Sequence, residues 1–188
     1  MITIVKFIRF CQPLSTVSFG DSNTMLLRQN NVCLNLWDAA PEFTLLDQHG
    51  TEVSLSDFKG KQNVVLAFNS GVLNESCQDY LHFHEEHISD FEALDAQVLG
   101  INMDSVERNK EWDDEIGGLS FPLLSDHAPL GRTTLKYDCF VPKEGYGKRA
   151  LFVIDKDGII RYIDVLKGER GACPNMSSLL DVLQSLEE

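Results

Sequence analysis

A three-layer α/β sandwich, with a mixed central sheet between helices, is the fold class this sequence predicts. Three observations predict it. The runs "NVVLAF" (63–68) and "QVLGINM" (97–103) are apolar without alternation, as strands buried on both faces by helix layers are. Amphipathic helical segments lie between and after these runs, and parallel strands joined by helices require crossover connections. A later pair of β runs meets at Asp157–Gly158, a strong signal for an antiparallel hairpin, so the sheet is mixed.

Residues 1–36 read as an appendage, and the patterned domain occupies 37–188, opening with "DAAPEFTLLDQHGTEVSLSDFKG". Lys6 and Arg9 interrupt the apolar stretch at the start, and no A-x-A-like cleavage site follows. The segment is therefore expected to be a flexible extension, or an upstream start with Met25 as the natural one. "EFTLLD" and "EVSL" flank "QHGT" as a short hairpin, and Ser56 is the expected cap of one helical turn in "SLSDFKGK". A helix is predicted from about Ser76 to Leu94, with Leu81, Ile88, Phe91 and Leu94 on its apolar side. "SVERNKEWDDEIG" forms a second helix, capped by Ser105 and ended near Gly117–Gly118. "SFPLLSD" is short and extended, "APLGRTTLKYD" a third helix, and "RALFVIDKDGIIRYIDVL" the hairpin. "NMSSLLDVLQSLEE" closes the chain as a helix carrying Leu179, Val182, Leu183 and Leu186. The element order is that of a thioredoxin-like sandwich with an added N-terminal β-hairpin.

Composition narrows the function. The chain has 188 residues, 43% hydrophobic and 24% charged, with a formal net charge of −13. Such an acid excess repels phosphates, so neither nucleic acid nor an anionic membrane is an expected partner. Five cysteines, Cys11, Cys33, Cys77, Cys139 and Cys173, are odd in number and form no C-x-x-C pair. That excludes a zinc-site or secreted-disulfide pattern and implies reduced thiols in a cytoplasmic chain. "HFHEEH" (82–87) pairs His84 with His87 and His82 with Glu86, but these pairs leave the helix in different directions. A solvated helix face is expected there, and no metal. "DKDG" (155–158) has calcium-type oxygens without the rest of a loop, and reads as the hairpin turn.

Cys77 stands out because it follows the end of a buried strand at the start of a helix, where unpaired backbone N–H groups favour thiolate. Magnitudes show that position alone is too weak. Lowering a thiol pKa from ~8.5 to ~6 takes roughly 3.4 kcal/mol, of which a helix terminus supplies ~0.3–2. Glu75 and Asp79 oppose the shift, so a fixed cation is needed. Arg149, which opens the strand "RALFVID", is the candidate; an arginine at a strand edge in water is the plain alternative.

From Asp38 onward the sequence resembles peroxiredoxins of the alkyl-hydroperoxide-reductase/thiol-specific-antioxidant family. The likeness is carried by "APEFTLLDQHGTEVSLSDFKGKQNVVLAF", "GINMDSVERNKEW", "FPLLSDHAPLGRTTLKYDCF" and "RALFVIDKDGIIRYI". It implies thiol-dependent reduction of hydrogen peroxide or organic hydroperoxides through a Cys77 sulfenic acid, with no cofactor. In the family pattern P-x-x-x-T-x-x-C, Cys77 takes the peroxidatic position and Arg149 the distant arginine. Ser70 stands in place of the proline and Asn74 in place of the threonine. Ser70 lacks the φ restraint and apolar cover, whereas the Asn74 amide could still donate to a peroxide oxygen. Weakened activity is the expected consequence. A resolving cysteine five residues on is replaced by His82. Cys173 and Cys139 remain internal candidates; otherwise the enzyme is of one-Cys type, recycled by a small thiol or a thioredoxin- or glutaredoxin-type reductant. The resemblance also makes a homodimer reasonable. Ser70 and Asn74 favour an alternative, a peroxidase-silent thioredoxin-fold protein that senses redox state or binds partners. A disulfide oxidoreductase is a weaker third, since C-x-x-C is absent.

Overall fold

The computed structural model describes residues 34–69, 75–141, 145–165 and 175–187, without the side chains of residues 75–79. The expectations for residues 1–33 lie outside them. The strands are β1 (Thr44–Leu46), β2 (Glu52–Ser54), β3 (Asn63–Phe68), β4 (Ala96–Asn102), β5 (Leu123–Ser125), β6 (Phe140–Val141), β7 (Tyr146–Gly147), β8 (Ala150–Ile154) and β9 (Ile160–Val165). The helices are α1 (Glu75–Glu86), α2 (Ile88–Ala93), α3 (Val106–Glu115), α4 (Arg132–Lys136) and α5 (Met176–Leu186).

Seven strands form one sheet in the order β2-β1-β5-β4-β3-β8-β9, and β6 and β7 pair separately. β3, β4 and β5 run parallel, while β8 lies antiparallel to β3 and β9 antiparallel to β8. The predicted mixed sheet is therefore present. Every residue of β3 is buried, and alternate ones feed two separate cores. Val64, Leu66 and Phe68 pack with Tyr137 and Phe152 on one face. Val65 packs on the other with Leu81, Phe91, Leu151, Val153, Leu179 and Leu183, beneath α1, α2 and α5. Burial on both faces is why the run carries no polar alternation.

Both hairpins form. Asp47 Oδ1 accepts from the backbone N–H groups of His49 and Thr51 in the first turn. Asp155 Oδ1 accepts from Asp157 N and Ile159 N in the second, where Gly158 takes a φ of 81° that a side chain would strain. Ser105 Oγ accepts from Arg108 N, as its capping role requires, and Asn175 Oδ1 accepts from Ser178 N at the start of α5.

Four local expectations need correction. The helix expected over 76–94 is broken at His87. The His87 ring Nδ1 lies 2.8 Å from Phe83 O, occupying the carbonyl that continued helix would use, and His87 N donates to His84 O instead. Ser54, not Ser56, precedes the short 3-10 turn Leu55–Phe58, and its N–H donates to Asp57 Oδ2. The third helix shrinks to Arg132–Lys136 because Gly131 enters it with a φ of 67° and the preceding segment turns on Asp126. That carboxylate accepts from Thr133 N, Thr134 N and Thr134 Oγ1, satisfying the donors of the short helix. The pair β6–β7 was not foreseen, each strand being two residues long.

Candidate active site

The strand ends that point toward α1 assemble a polar corner on an apolar sheet. Beyond Phe68, Asn69 continues the parallel ladder by donating its N–H to Ile101 O at 2.8 Å. On the other side, the antiparallel register of β3 and β8 ends at Phe68↔Ala150. One step further sets Asn69 opposite Arg149. The two-residue period of strands then decides the face. Val65 of β3, with Leu151 and Val153 of β8, belongs to the core under α1, so Asn69 and Arg149 lie on that same side.

The Arg149 guanidinium confirms this placement independently. Its Cζ lies 5.4 Å from the centroid of the Tyr80 ring, and Tyr80 is only 1% exposed. Arg149 is itself half-buried, and a cation on an aromatic face is stabilised by about 0.5–2 kcal/mol as water is progressively excluded. Tyr80 is in α1, one turn after Cys77, and positions three apart share a helix face. Arg149 is thus not a strand-edge arginine in water. It lies against the face of α1 to which position 77 belongs.

Of the residues singled out from sequence, Arg149 is described with its side chain. Cys77 lies in the first turn of α1, as the helix-start argument requires, but its side chain is outside the described atoms. Ser70, Asn74 and Cys173 lie outside the described residues. Cys139 is fully buried, its Sγ 3.3 Å from Tyr137 O, and burial pushes the thiol up to about 12. A thiol buried in this way packs as a small residue of the core.

Sequence reasoning missed three residues of this region. Tyr80 was legible only as a neighbour at i+3 of Cys77. Asn69 is 2% exposed, and neither its Nδ2 nor its Oδ1 has a hydrogen-bond partner among the described residues. Leaving such groups unpaired costs roughly 1–3 kcal/mol each. A polar residue at the end of an uninterrupted apolar strand was the available signal. In "HFHEEH", His82 and Glu86 are exposed as a solvated face requires, but His84 departs from that expectation. It is buried among Tyr80, Phe83, Phe91 and Phe121, with ring centroids 4.7–6.4 Å away. Desolvation, with a smaller contribution from His87, lowers its pKa to about 3, so the ring is neutral.

The AhpC/TSA family model matches residues 36–163. Alkyl hydroperoxide reductase E of Mycobacterium tuberculosis is 36% identical over 132 residues, covering 70% of this chain and 86% of that protein. The chloroplastic 2-Cys peroxiredoxin BAS1 of Arabidopsis thaliana is 30% identical over 157 residues, 79% of this chain and 58% of its own length. Among solved structures, a mitochondrial 2-Cys peroxiredoxin from Plasmodium falciparum superposes with a TM-score of 0.68 at 28% identity, covering 81% of this chain and 94% of that one. Peroxidoxin BcpB from Mycobacterium tuberculosis gives 0.72 at 23% identity, covering 83% and 100%, a likeness of fold.

Proposed function

This chain belongs to the AhpC/TSA family of thiol-dependent peroxidases, and on that premise we propose that Cys77 is its peroxide-attacking thiol and Arg149 the cation that keeps it ionised. The observation that carries the reading is the Arg149 guanidinium stacked on Tyr80, one turn along α1 from Cys77. A helix start alone is too weak to ionise the thiol, and a guanidinium supplies the charge without ever losing its own proton.

The step is a displacement at oxygen. The Cys77 thiolate attacks the terminal oxygen of a hydroperoxide, an S–O bond forms and the O–O bond breaks. Sulfur is oxidised to sulfenic acid, keeping the O–H of the attacked oxygen, and the leaving alkoxide or hydroxide takes a proton from water. Arg149 donates to the oxygen on which charge develops, where a fixed donor in a low-dielectric corner acts most strongly. A thiol then reduces the sulfenic acid, releasing water as a disulfide forms. With Cys139 buried, Cys173 is the remaining internal candidate for resolution. The reading adopted is of one-Cys type, served by a small thiol or a thioredoxin- or glutaredoxin-type reductant in a reducing compartment such as the cytoplasm, with the chain as a homodimer. No helix among the described residues is long and apolar enough to cross a membrane.

Ser70 and Asn74 depart from the family pattern, and they favour slow peroxide turnover or, as a second reading, a redox-sensing or partner-binding protein with an ordinary thiol. Alkylation of Cys77 as a function of pH separates the two. A midpoint one or more units below ~8.5 supports the activated thiol, and an ordinary midpoint the silent protein. Stopped-flow oxidation by hydrogen peroxide should consume one equivalent of Cys77 thiol and vanish in Cys77→Ser. Turnover unchanged in that variant would overturn the assignment. Cys173→Ser should leave peroxide consumption with an external thiol intact.

A further inference from the structure

We propose that the Asn69 carboxamide is a second peroxide contact, holding the hydroperoxide beside Arg149 through both its donor and its acceptor. The inference rests on the reading of Cys77 and Arg149 given above and adds to it a residue outside the family motif positions.

The argument begins with the orphaned amide. Asn69 is buried, its backbone is fixed by the bond to Ile101 O, and its Oδ1 and Nδ2 have no partner among the described residues. Apolar strand residues precede it, so an apolar side chain would have suited a purely structural role there. Register and alternation put it opposite Arg149, on the side of the sheet that α1 covers. Residues directly opposite in an antiparallel pair have Cβ atoms about 4.5–5.5 Å apart, within reach of one small molecule. The location also fits, because open α/β sheets bind ligands beyond the carboxyl ends of their parallel strands, and Asn69 is at that end of β3.

A hydroperoxide is chemically matched to this pair. It carries one O–H donor and two oxygens that accept. Arg149 is a donor only, and it cannot take the hydroperoxide proton. Asn69 Oδ1 accepts from the O–H of the attacked oxygen and orients it toward the thiolate. Asn69 Nδ2 donates to the other oxygen, which leaves with the negative charge. That proton is held and not removed, since it stays on the oxygen that becomes part of the sulfenic acid. A carboxamide needs no ionisation for either task, so its contribution is flat with pH.

The discriminating variant is Asn69→Leu, close in volume and unable to hydrogen bond. Two rates on the full chain are read together: Cys77 oxidation by hydrogen peroxide, and Cys77 alkylation by iodoacetamide, which requires the thiolate but no peroxide contact. The expected result is peroxide oxidation slowed about 10- to 100-fold, in line with losing one preorganised donor, with alkylation within about twofold. Asn69→Ser, which keeps a hydroxyl, should fall between, and it replaces the leucine variant should that one fail to fold. Equal oxidation rates in a folded variant and the parent overturn the proposal. So does a parallel fall in both rates, which would mean that Asn69 only shapes the thiol. Failure of the underlying reading looks different: peroxide oxidation that survives Cys77→Ser in the parent chain.

Discussion

Arg149 and His84 show how differently two basic side chains are treated on one helix face. The Arg149 guanidinium lies over the Tyr80 ring, whose electron-rich face attracts a cation. A lysine there would retain the charge but lose the planar stack and the fork of donors, so Arg149→Lys is expected to slow peroxide oxidation at least tenfold. Arg149→Met, lacking charge altogether, should raise the Cys77 alkylation midpoint by about 1–3 units. His84 instead gives up its charge. The unfolded chain binds a proton on this ring below about 6.5, whereas the folded chain binds it only near 3. Between those values the unfolded state holds more protons, so stability falls as the pH falls, by up to tenfold in the folding equilibrium per unit. Denaturant melts at pH 7 and pH 5 should show this slope in the parent and a flatter one in His84→Leu.

At the scale of the elements, short-range chemistry decides where each begins and ends. The Ser105 side chain satisfies one free N–H of α3, and Ser105→Ala is expected to cost about 1 kcal/mol, read as a lower denaturant midpoint with an unchanged slope. Tight packing sets the other limit. A Cβ on Gly100 in β4 would come 3.0 Å from Leu123 Cδ1 and 3.3 Å from Phe121 Cε2. Gly100→Ala should therefore destabilise by roughly 1–3 kcal/mol through overpacking in the middle of the sheet. Strand β3 was legible because five consecutive apolar side chains, Val64–Phe68, are bounded by the polar Asn63 and Asn69. The break at His87 was not, because an apolar period runs straight through it, and only the ring nitrogen on the Phe83 carbonyl reveals the stop.

Across the whole molecule, charge is the dominant long-range term. Acids outnumber lysine and arginine by 29 to 16, so an excess of carboxylates would remain even if every lysine and arginine balanced one of them, and Lys156 pairs with Asp95 and Glu187. Raising salt from ~0.01 M to ~0.15 M shortens the Debye length from ~30 to ~8 Å and screens this self-repulsion. The thermal midpoint should rise over that range, and a fall would mean that the few attractive pairs outweigh the excess.

Local periodicity was enough for the sequence to establish the strands of the main sheet, most helices and both hairpins, while position at a helix start and at a strand start drew attention to Cys77 and Arg149. Those features depend on neighbours a few residues away, and a linear reading contains them. Which distant side chains meet depends instead on strand register, and that is settled only when the sheet closes. The alignment of Phe68 with Ala150 brings Asn69 opposite Arg149, and the docking of α1 lays Tyr80 against the guanidinium and drives His84 into the core. Tertiary structure alone decided these encounters, because pairing energy is shared along whole strands and no single residue records it.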